Sequence, residues 1–192
     1  SSISFTLSSN EALDGTTIAA SDFTITNGGT PTITGSGSSW TITTTATGDG
    51  AVTIAPSGTF SISDVPGNAA TTAGGADRSV TYDTTAPTLT LAQAAGQVDP
   101  ARNASITFTL SANESLDAST VTASDFTATG GTVASATGTG SSYTVTVTAT
   151  SQGAVTIAPS GTFQVADVAG NTQGSVPNGA DRTVTYDSIA PT

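Results

Sequence analysis

The sequence predicts an all-β protein made of two tandem copies of one β-sandwich domain. Most ordered segments alternate apolar and polar residues with a period of two, which is typical of strands that have one buried face. Clusters of Gly, Asn, Asp, Ser and Pro separate these segments and predict turns. The third observation is a long internal repeat, since residues 50–60 recur without change as residues 153–163.

Taken in chain order, the second copy contains about seven short strands. This number in about 100 residues is typical of an immunoglobulin-like Greek-key β-sandwich, although the Cys-Trp-Cys pattern of antibody domains is absent. No stretch keeps a 3.6-residue apolar period, so helix is expected only as one short turn near residues 117–124. The side chains predicted to face the core are Leu89 and Leu91; Ile106, Phe108 and Leu110; Phe126; Tyr143, Val145 and Val147; Val155 and Ile157; Phe163 and Val165; and Val184 and Tyr186.

The repeat also predicts the domain boundaries. The offset between equivalent residues is 103 through most of the unit and 104 after one inserted residue near the end. We therefore expect a first repeat at residues 1–83, a second at 84–187, and the start of a further repeat at 188–192. The first repeat has no counterpart of residues 88–102, which contain the second repeat's opening strand. Two explanations stay open: the array is cut there, or a neighbouring molecule supplies the strand.

Composition excludes several classes of function. The formal net charge is -11 and the only basic side chains are three arginines, which argues against nucleic acid or an anionic membrane as a partner. No apolar run is long enough to cross a bilayer. The absence of His, Cys and Lys removes the usual nucleophile–base pairs, so we expect no enzymatic activity. It also excludes disulfide bonds and Lys–Asn isopeptide bonds as stabilising crosslinks.

Five short motifs carry a resemblance to a known family. They are Phe-Thr-Leu-Ser-Ala-Asn-Glu at 108–114, Ser-Asp-Phe-Thr at 124–127, Asp-Val-Ala-Gly-Asn at 167–171, Val-Thr-Tyr-Asp at 184–187 and Ala-Pro at 190–191. With these motifs the chain resembles the bacterial Ig-like (Big-type) tandem repeats of large surface adhesins and extracellular filament proteins. The resemblance implies a non-catalytic spacer or stalk at the cell surface, whose partners are neighbouring repeats or identical subunits.

Acidic residues at the predicted domain junction suggest a calcium site. Glu114 follows the second strand, Asp167 follows the sixth, and in a Greek-key sandwich both positions lie at the pole where Asp83 enters. Oxygen donors from separate segments suit Ca²⁺. Glu11, Asp64 and Asp187 are the equivalents at the neighbouring junctions. The competing interpretation is that these carboxylates only form turns, as Asp in Asp-x-x-Gly-Asn commonly does.

Other features favour structural interpretations. Trp40 and its counterpart Tyr143 share the register of inward-facing residues, so we expect core packing and no sugar-stacking platform. Thr-x-Thr patterns are expected on the outer strand faces. Asp77–Arg78 and Asp181–Arg182 are expected to form local ion pairs. The alternative function is a glycan- or protein-binding module, which would need exposed aromatic side chains or a divergent long loop.

Overall fold

The computed structural model describes residues 1–75, 78–176 and 181–191. It confirms the all-β fold and divides the chain into two units, Ser1–Thr84 and Thr85–Thr192. The strands of the first unit are β1 Ser2–Ser8, β2 Phe23–Thr26, β3 Thr32–Ser36, β4 Ser39–Thr45, β5 Gly50–Pro56, β6 Ile62–Ser63, β7 Ala69–Ala70 and β8 Ser79–Tyr82. Those of the second are β9 Leu89–Gln93, β10 Ser105–Ala112, β11 Phe126–Thr129, β12 Gly131–Thr139, β13 Ser142–Ala149, β14 Gly153–Pro159, β15 Val165–Ala166, β16 Thr172–Gln173 and β17 Thr183–Tyr186.

In the second unit, two antiparallel sheets share one core. The first sheet has the order β12-β13-β10-β9 and the second has the order β11-β14-β17, while β15 and β16 form a two-stranded ladder. Fully buried side chains come from both sheets, among them Phe108 and Val145 on one and Val155 and Ile157 on the other. This arrangement is consistent with a β-sandwich, since alternate residues of each strand face the same interior.

The first unit repeats this arrangement with one strand fewer. Its sheets have the orders β1-β4-β3 and β2-β5-β8, with β6 and β7 as the short ladder. The register is also repeated, because Leu7 pairs with Trp40 as Leu110 pairs with Tyr143. Within the described residues, nothing in this unit corresponds to β9. Its buried cluster is accordingly smaller, with Ile3, Phe5, Ile42, Val52 and Ile54 as members.

Short 3-10 turns connect the first and second strands of the shared pattern. They are Gly15–Thr17 and Ala20–Asp22 in the first unit, and Ala118–Thr120 and Ala123–Asp125 in the second. Helical structure near residues 117–124 was predicted as one turn, and the structure has two short turns there. An aspartate begins the first turn of each pair: the backbone N–H of Thr16 donates to Oδ1 of Asp14 over 2.9 Å, and that of Ser119 donates to Asp117 over 2.9 Å. These caps satisfy donors that a short helix leaves unpaired.

The predicted core of the second unit is confirmed with one exception. Tyr186 is half-buried and packs against the edge of the cluster, whereas the other predicted residues are buried. Buried residues in loops and turns, such as Leu116 and Val176, were not predicted, because an isolated apolar residue shows no periodicity. The prediction that Trp40 packs in the core is wrong: it is half-buried and does not belong to the buried cluster of the first unit. It lies near the β3–β4 turn with its ring against Gly15, and its indole N–H donates to the carbonyl of Gly37 over 3.1 Å.

Candidate functional site

Asp167 is a buried carboxylate that closes a turn. It follows β15 directly, and only 2% of its surface is exposed. The backbone N–H of Asn171 donates to Oδ1 over 2.8 Å, and the Asn171 side-chain amide donates to Oδ2, also over 2.8 Å. Gly170 adopts a φ of 91° in this turn, a conformation that favours glycine over residues with a side chain. The motif Asp-Val-Ala-Gly-Asn therefore encodes a specific loop that keeps the carboxylate in place.

The surroundings of Asp167 favour its ionised form. Burial by itself would raise the pKa of this carboxyl group, because desolvation disfavours the charge. Hydrogen bonds from the Asn171 side chain and from the backbone of Asn171, Gly170 and Ala169 outweigh burial, so the pKa lies below its usual value. Asp167 is consequently a carboxylate at neutral pH.

Glu114 lies beside Asp167 within the second unit. It follows β10, it is half-buried, and one of its carboxylate oxygens lies within 4.8 Å of one of Asp167. The preceding residue fixes the chain here, since the backbone N–H of Thr88 donates to Oδ1 of Asn113 over 2.7 Å. Two oxygen donors at this separation can bind the same hard cation such as Ca²⁺, with backbone carbonyls and water completing the coordination.

Asp83, the third predicted ligand, belongs to the end of the first unit. It follows β8 and is half-buried. The chain immediately after it is held by Asp49, whose Oδ1 accepts from the backbone N–H of Thr84 over 3.0 Å and from the Thr84 hydroxyl over 2.8 Å. That Asp83 binds an ion together with Glu114 and Asp167 stays a prediction.

The residues predicted as equivalents of these ligands at the neighbouring junctions differ in their burial and hydrogen bonding. Asp64 reproduces the Asp167 turn: Asn68 donates its backbone N–H to Oδ1 over 2.6 Å and its side-chain amide to Oδ2 over 2.7 Å. The pKa of Asp64 is lowered, chiefly by the Asn68 side chain. Glu11 is exposed, and Asp187 is exposed and accepts from the backbone N–H of Ile189 over 3.0 Å. The Asp–Asn turn is therefore a repeated structural element in its own right.

Arg182 makes contacts that the residues next to it in the sequence did not predict. The guanidinium of Arg182 donates through Nε to the carbonyl of Leu91 over 3.3 Å and through a terminal nitrogen to that of Val176 over 3.4 Å. Oδ1 of Asp181 accepts from the backbone N–H of Thr183. The ion pair expected between Asp77 and Arg78 involves Asp77, which lies outside the described residues. No local sequence signal could place Arg182 beside β9, because the two are about 90 residues apart in the chain.

Comparisons with known proteins identify no relative. No protein-family model, curated protein or solved structure matches this chain. The helices of the described residues are all three-residue turns, and none is long and apolar enough to cross a membrane.

Proposed function

We propose that this chain is a non-catalytic spacer segment of tandem Ig-like β-sandwiches from a microbial cell-surface adhesin or extracellular filament. The observation that carries the proposal is the duplication itself: apart from β9, two units in one chain repeat the same strand order, the same Asp-capped turns and the same Asp–Asn loops. Repetition of one structural unit adds length and mechanical continuity to a chain, whereas it adds nothing to a single active site.

The burial of the aromatic side chains supports a spacer over a binding module. All ten aromatic residues fall within the described part of the chain, and each is buried or half-buried. Phe23 packs edge-on against Phe60 at 5.9 Å between ring centres, and Phe126 packs in the same way against Phe163 at 5.8 Å. Exposed aromatic anchors, which dominate many recognition surfaces, are thus absent among the described residues. Most of the aromatic rings belong to the two buried clusters or pack against them, whereas Trp40 lies outside them.

Force spectroscopy on the whole chain tests the spacer role. Two independent sandwiches should give two separate unfolding events. With 84 and 108 residues in the units, and at most about 3.6 Å of extension per residue, the released lengths should be about 300 Å and about 390 Å. A single event, or extension without resolvable unfolding peaks, would contradict a load-bearing role.

Surface labelling tests the location. Antibodies against the chain should label intact cells of the source organism without permeabilisation, and added protease should remove that signal. Labelling that appears only after the cells are opened would refute a cell-surface or extracellular function.

We further propose that Ca²⁺ stabilises the chain through Glu114, Asp167 and Asp83. The support is the ionised, buried Asp167 and the nearby Glu114 carboxylate. Calcium that binds only the folded state raises its stability by RT ln(1 + [Ca²⁺]/Kd). Thermal unfolding in Ca²⁺ and then in excess EGTA should show a lower Tm after chelation.

Variants assign this calcium response to residues. Glu114→Gln and Asp83→Ala should each weaken it, whereas Asp181→Asn, which changes an exposed acidic residue outside the predicted sites, should leave it unchanged. Coincident curves in Ca²⁺ and EGTA would limit these carboxylates to turn formation, and the two-event force result would be unaffected by that outcome.

A further inference from the structure

The loop between β9 and β10 forms a depression on the surface of the second unit. The two strands pair antiparallel, and residues 94–104 connect them, whereas most hairpin loops have only about two to five residues. The depression has a volume of about 480 Å³. Its lining includes Gln97, Val98, Pro100, Arg102, Asn103 and Thr107. Long loops held on a rigid sheet commonly carry binding sites.

Hydrogen bonds to two different strands hold this loop in place. At one side, Oε1 of Gln97 accepts from the backbone N–H of Thr107 over 2.9 Å and from its hydroxyl over 3.1 Å. At the other side, Oδ1 of Asp99 accepts from the backbone N–H of Thr185 over 2.9 Å. The backbone N–H of Ala101 donates to the carbonyl of Thr185 over 2.7 Å. The depression is therefore formed before a ligand arrives, which lowers the entropic cost of binding.

Arg102 supplies an exposed positive charge to the depression. Among the described residues, no hydrogen bond or ion pair engages its guanidinium, whereas Arg78 and Arg182 donate to backbone carbonyls. Oδ1 of Asn103 accepts from the backbone N–H of Ser105 over 3.0 Å, which leaves the amide N–H groups of Asn103 available. The polar groups that these two side chains offer to a ligand are therefore hydrogen-bond donors.

Donors of this kind match a carboxylate. A guanidinium binds a carboxylate through two parallel N–H···O bonds, which are stronger than hydrogen bonds between neutral groups. Val98 is 68% exposed beside Arg102 and, with Pro100, offers an apolar contact to the carbon atoms of a ligand. The chain has 14 acidic and three basic residues, so an exposed arginine without a partner is a local exception to its charge.

An uncharged face of hydroxyl side chains adjoins the depression at Thr107. The alternate residues of β10 and β13 that face away from the core are all Ser or Thr, and they lie opposite one another. The pairs are Ser105–Thr148, Thr107–Thr146, Thr109–Thr144 and Ser111–Ser142. The neighbouring strand β12 continues this face with Thr132, Ser135, Thr137 and Thr139. Each hydroxyl can both donate and accept, and contact with a neutral polar ligand desolvates no charge there.

We propose that the depression and this hydroxyl face together bind an acidic polysaccharide. The carboxylate of one hexuronate residue accepts from Arg102 and Asn103, and the adjoining sugar rings exchange hydrogen bonds with the hydroxyls of β10 and β13. A uronate sugar carries both a carboxylate and closely spaced hydroxyls, whereas an acidic peptide matches only the arginine. This binding needs no aromatic platform. It involves the second unit alone and is independent of the spacer function proposed above.

NMR titration of the isotope-labelled whole chain with an α-1,4-linked galacturonate tetramer is the direct test. Salt at about 0.15 M screens the repulsion between the tetramer and the acidic chain. Binding should be saturable with a Kd below about 1 mM. The shift changes should concentrate in residues 95–103 and in the outward-facing residues of β10 and β13.

Two matched ligands separate the contributions to this binding. The galactose tetramer with the same linkage lacks the carboxylates and should bind at least about tenfold more weakly. Tetraglutamate has the carboxylates without the sugar hydroxyls and should also bind at least about tenfold more weakly.

Variants of the chain assign the site to Arg102. Arg102→Gln should reduce the affinity for the galacturonate tetramer to that of the galactose tetramer. Arg102→Lys keeps the charge but loses the two-point geometry, so its affinity should be intermediate. Ser38→Asp makes the same change in net charge at an exposed position of the first unit and should leave the affinity unchanged. Unshifted core resonances in each variant verify that its fold is retained.

Three results would overturn the inference. The first is the absence of saturable binding at about 1 mM galacturonate tetramer. The second is an affinity that Arg102→Gln leaves unchanged, or that Ser38→Asp lowers as much as Arg102→Gln does. The third is equally tight binding of tetraglutamate, which would assign the depression to acidic peptides.

Discussion

Gly15 and Trp40 form a size-matched pair whose disruption has a calculable effect. A Cβ atom added at Gly15 would lie 2.5 Å from Cη2 of Trp40 and 3.1 Å from Cζ2. The second unit has Ala118 and Tyr143 at the equivalent positions. The unit with the larger aromatic side chain, Trp40, thus has the smaller partner, Gly15. We therefore expect Gly15→Ala to force the indole out of its position.

The size of the effect follows from two opposing contributions. Overpacking of a well-packed site typically costs about 1–3 kcal/mol. Replacing Gly by Ala at an unstrained backbone position stabilises by about 0.4–1 kcal/mol, because the unfolded chain loses freedom. Gly15 does not have a positive φ, so this second contribution applies. Gly15→Ala alone should thus lower the free energy of unfolding of the first unit by between about 0 and about 2.6 kcal/mol.

A double-mutant cycle tests the reasoning. In the background of Trp40→Tyr the clash is removed, so Gly15→Ala should become neutral or stabilising by up to about 1 kcal/mol. Urea unfolding followed by circular dichroism, with hydrogen exchange in β4 to identify the first unit, measures all four proteins. The matched control, Ala118→Gly, should cost only about 0.4–1 kcal/mol in the second unit. An equal effect of Gly15→Ala in both backgrounds would show that the indole is not the obstacle.

Three further predictions concern the second unit. The Tyr143 hydroxyl is buried without a hydrogen-bond partner in the described structure, so Tyr143→Phe should leave Tm unchanged or raise it; a clear loss of Tm would reveal a partner. Leu91→Ala should lower the free energy of unfolding of the second unit by about 2–5 kcal/mol without moving the unfolding transition seen by Trp40 fluorescence, and a shift in that transition would contradict independent cores. The lowered pKa of Asp167 means that its contribution to stability is present above about pH 4 and is lost as pH falls through the folded-state pKa. In EGTA, the stability of the Asp167→Asn variant should therefore fall less steeply with decreasing pH than that of the unchanged chain. Parallel pH profiles of the two proteins would show that Asp167 does not contribute to the acid-induced loss of stability.

Several properties could be predicted from local pattern. Strand alternation identifies most of the core of the second unit because side chains of a strand alternate strictly between two faces. The Asp-x-x-Gly-Asn spacing predicts the turn at Asp167, since its contacts lie within four residues. Glu114 and Asp167 were expected at one pole from sandwich topology, and their carboxylates lie within 4.8 Å.

Other properties depend on contacts between distant segments. The contact of Arg182 with Leu91, the burial of Leu116 and the isolated hydroxyl of Tyr143 arise only when both sheets are assembled.

Composition and short-range periodicity suffice to predict the all-β class, the internal repeat and the lack of the usual catalytic side chains. Only the folded chain shows which carboxylates within the second unit approach one another and which polar atoms are buried. Those features depend on distances between residues far apart in the chain, and such distances are set by sheet pairing and core packing.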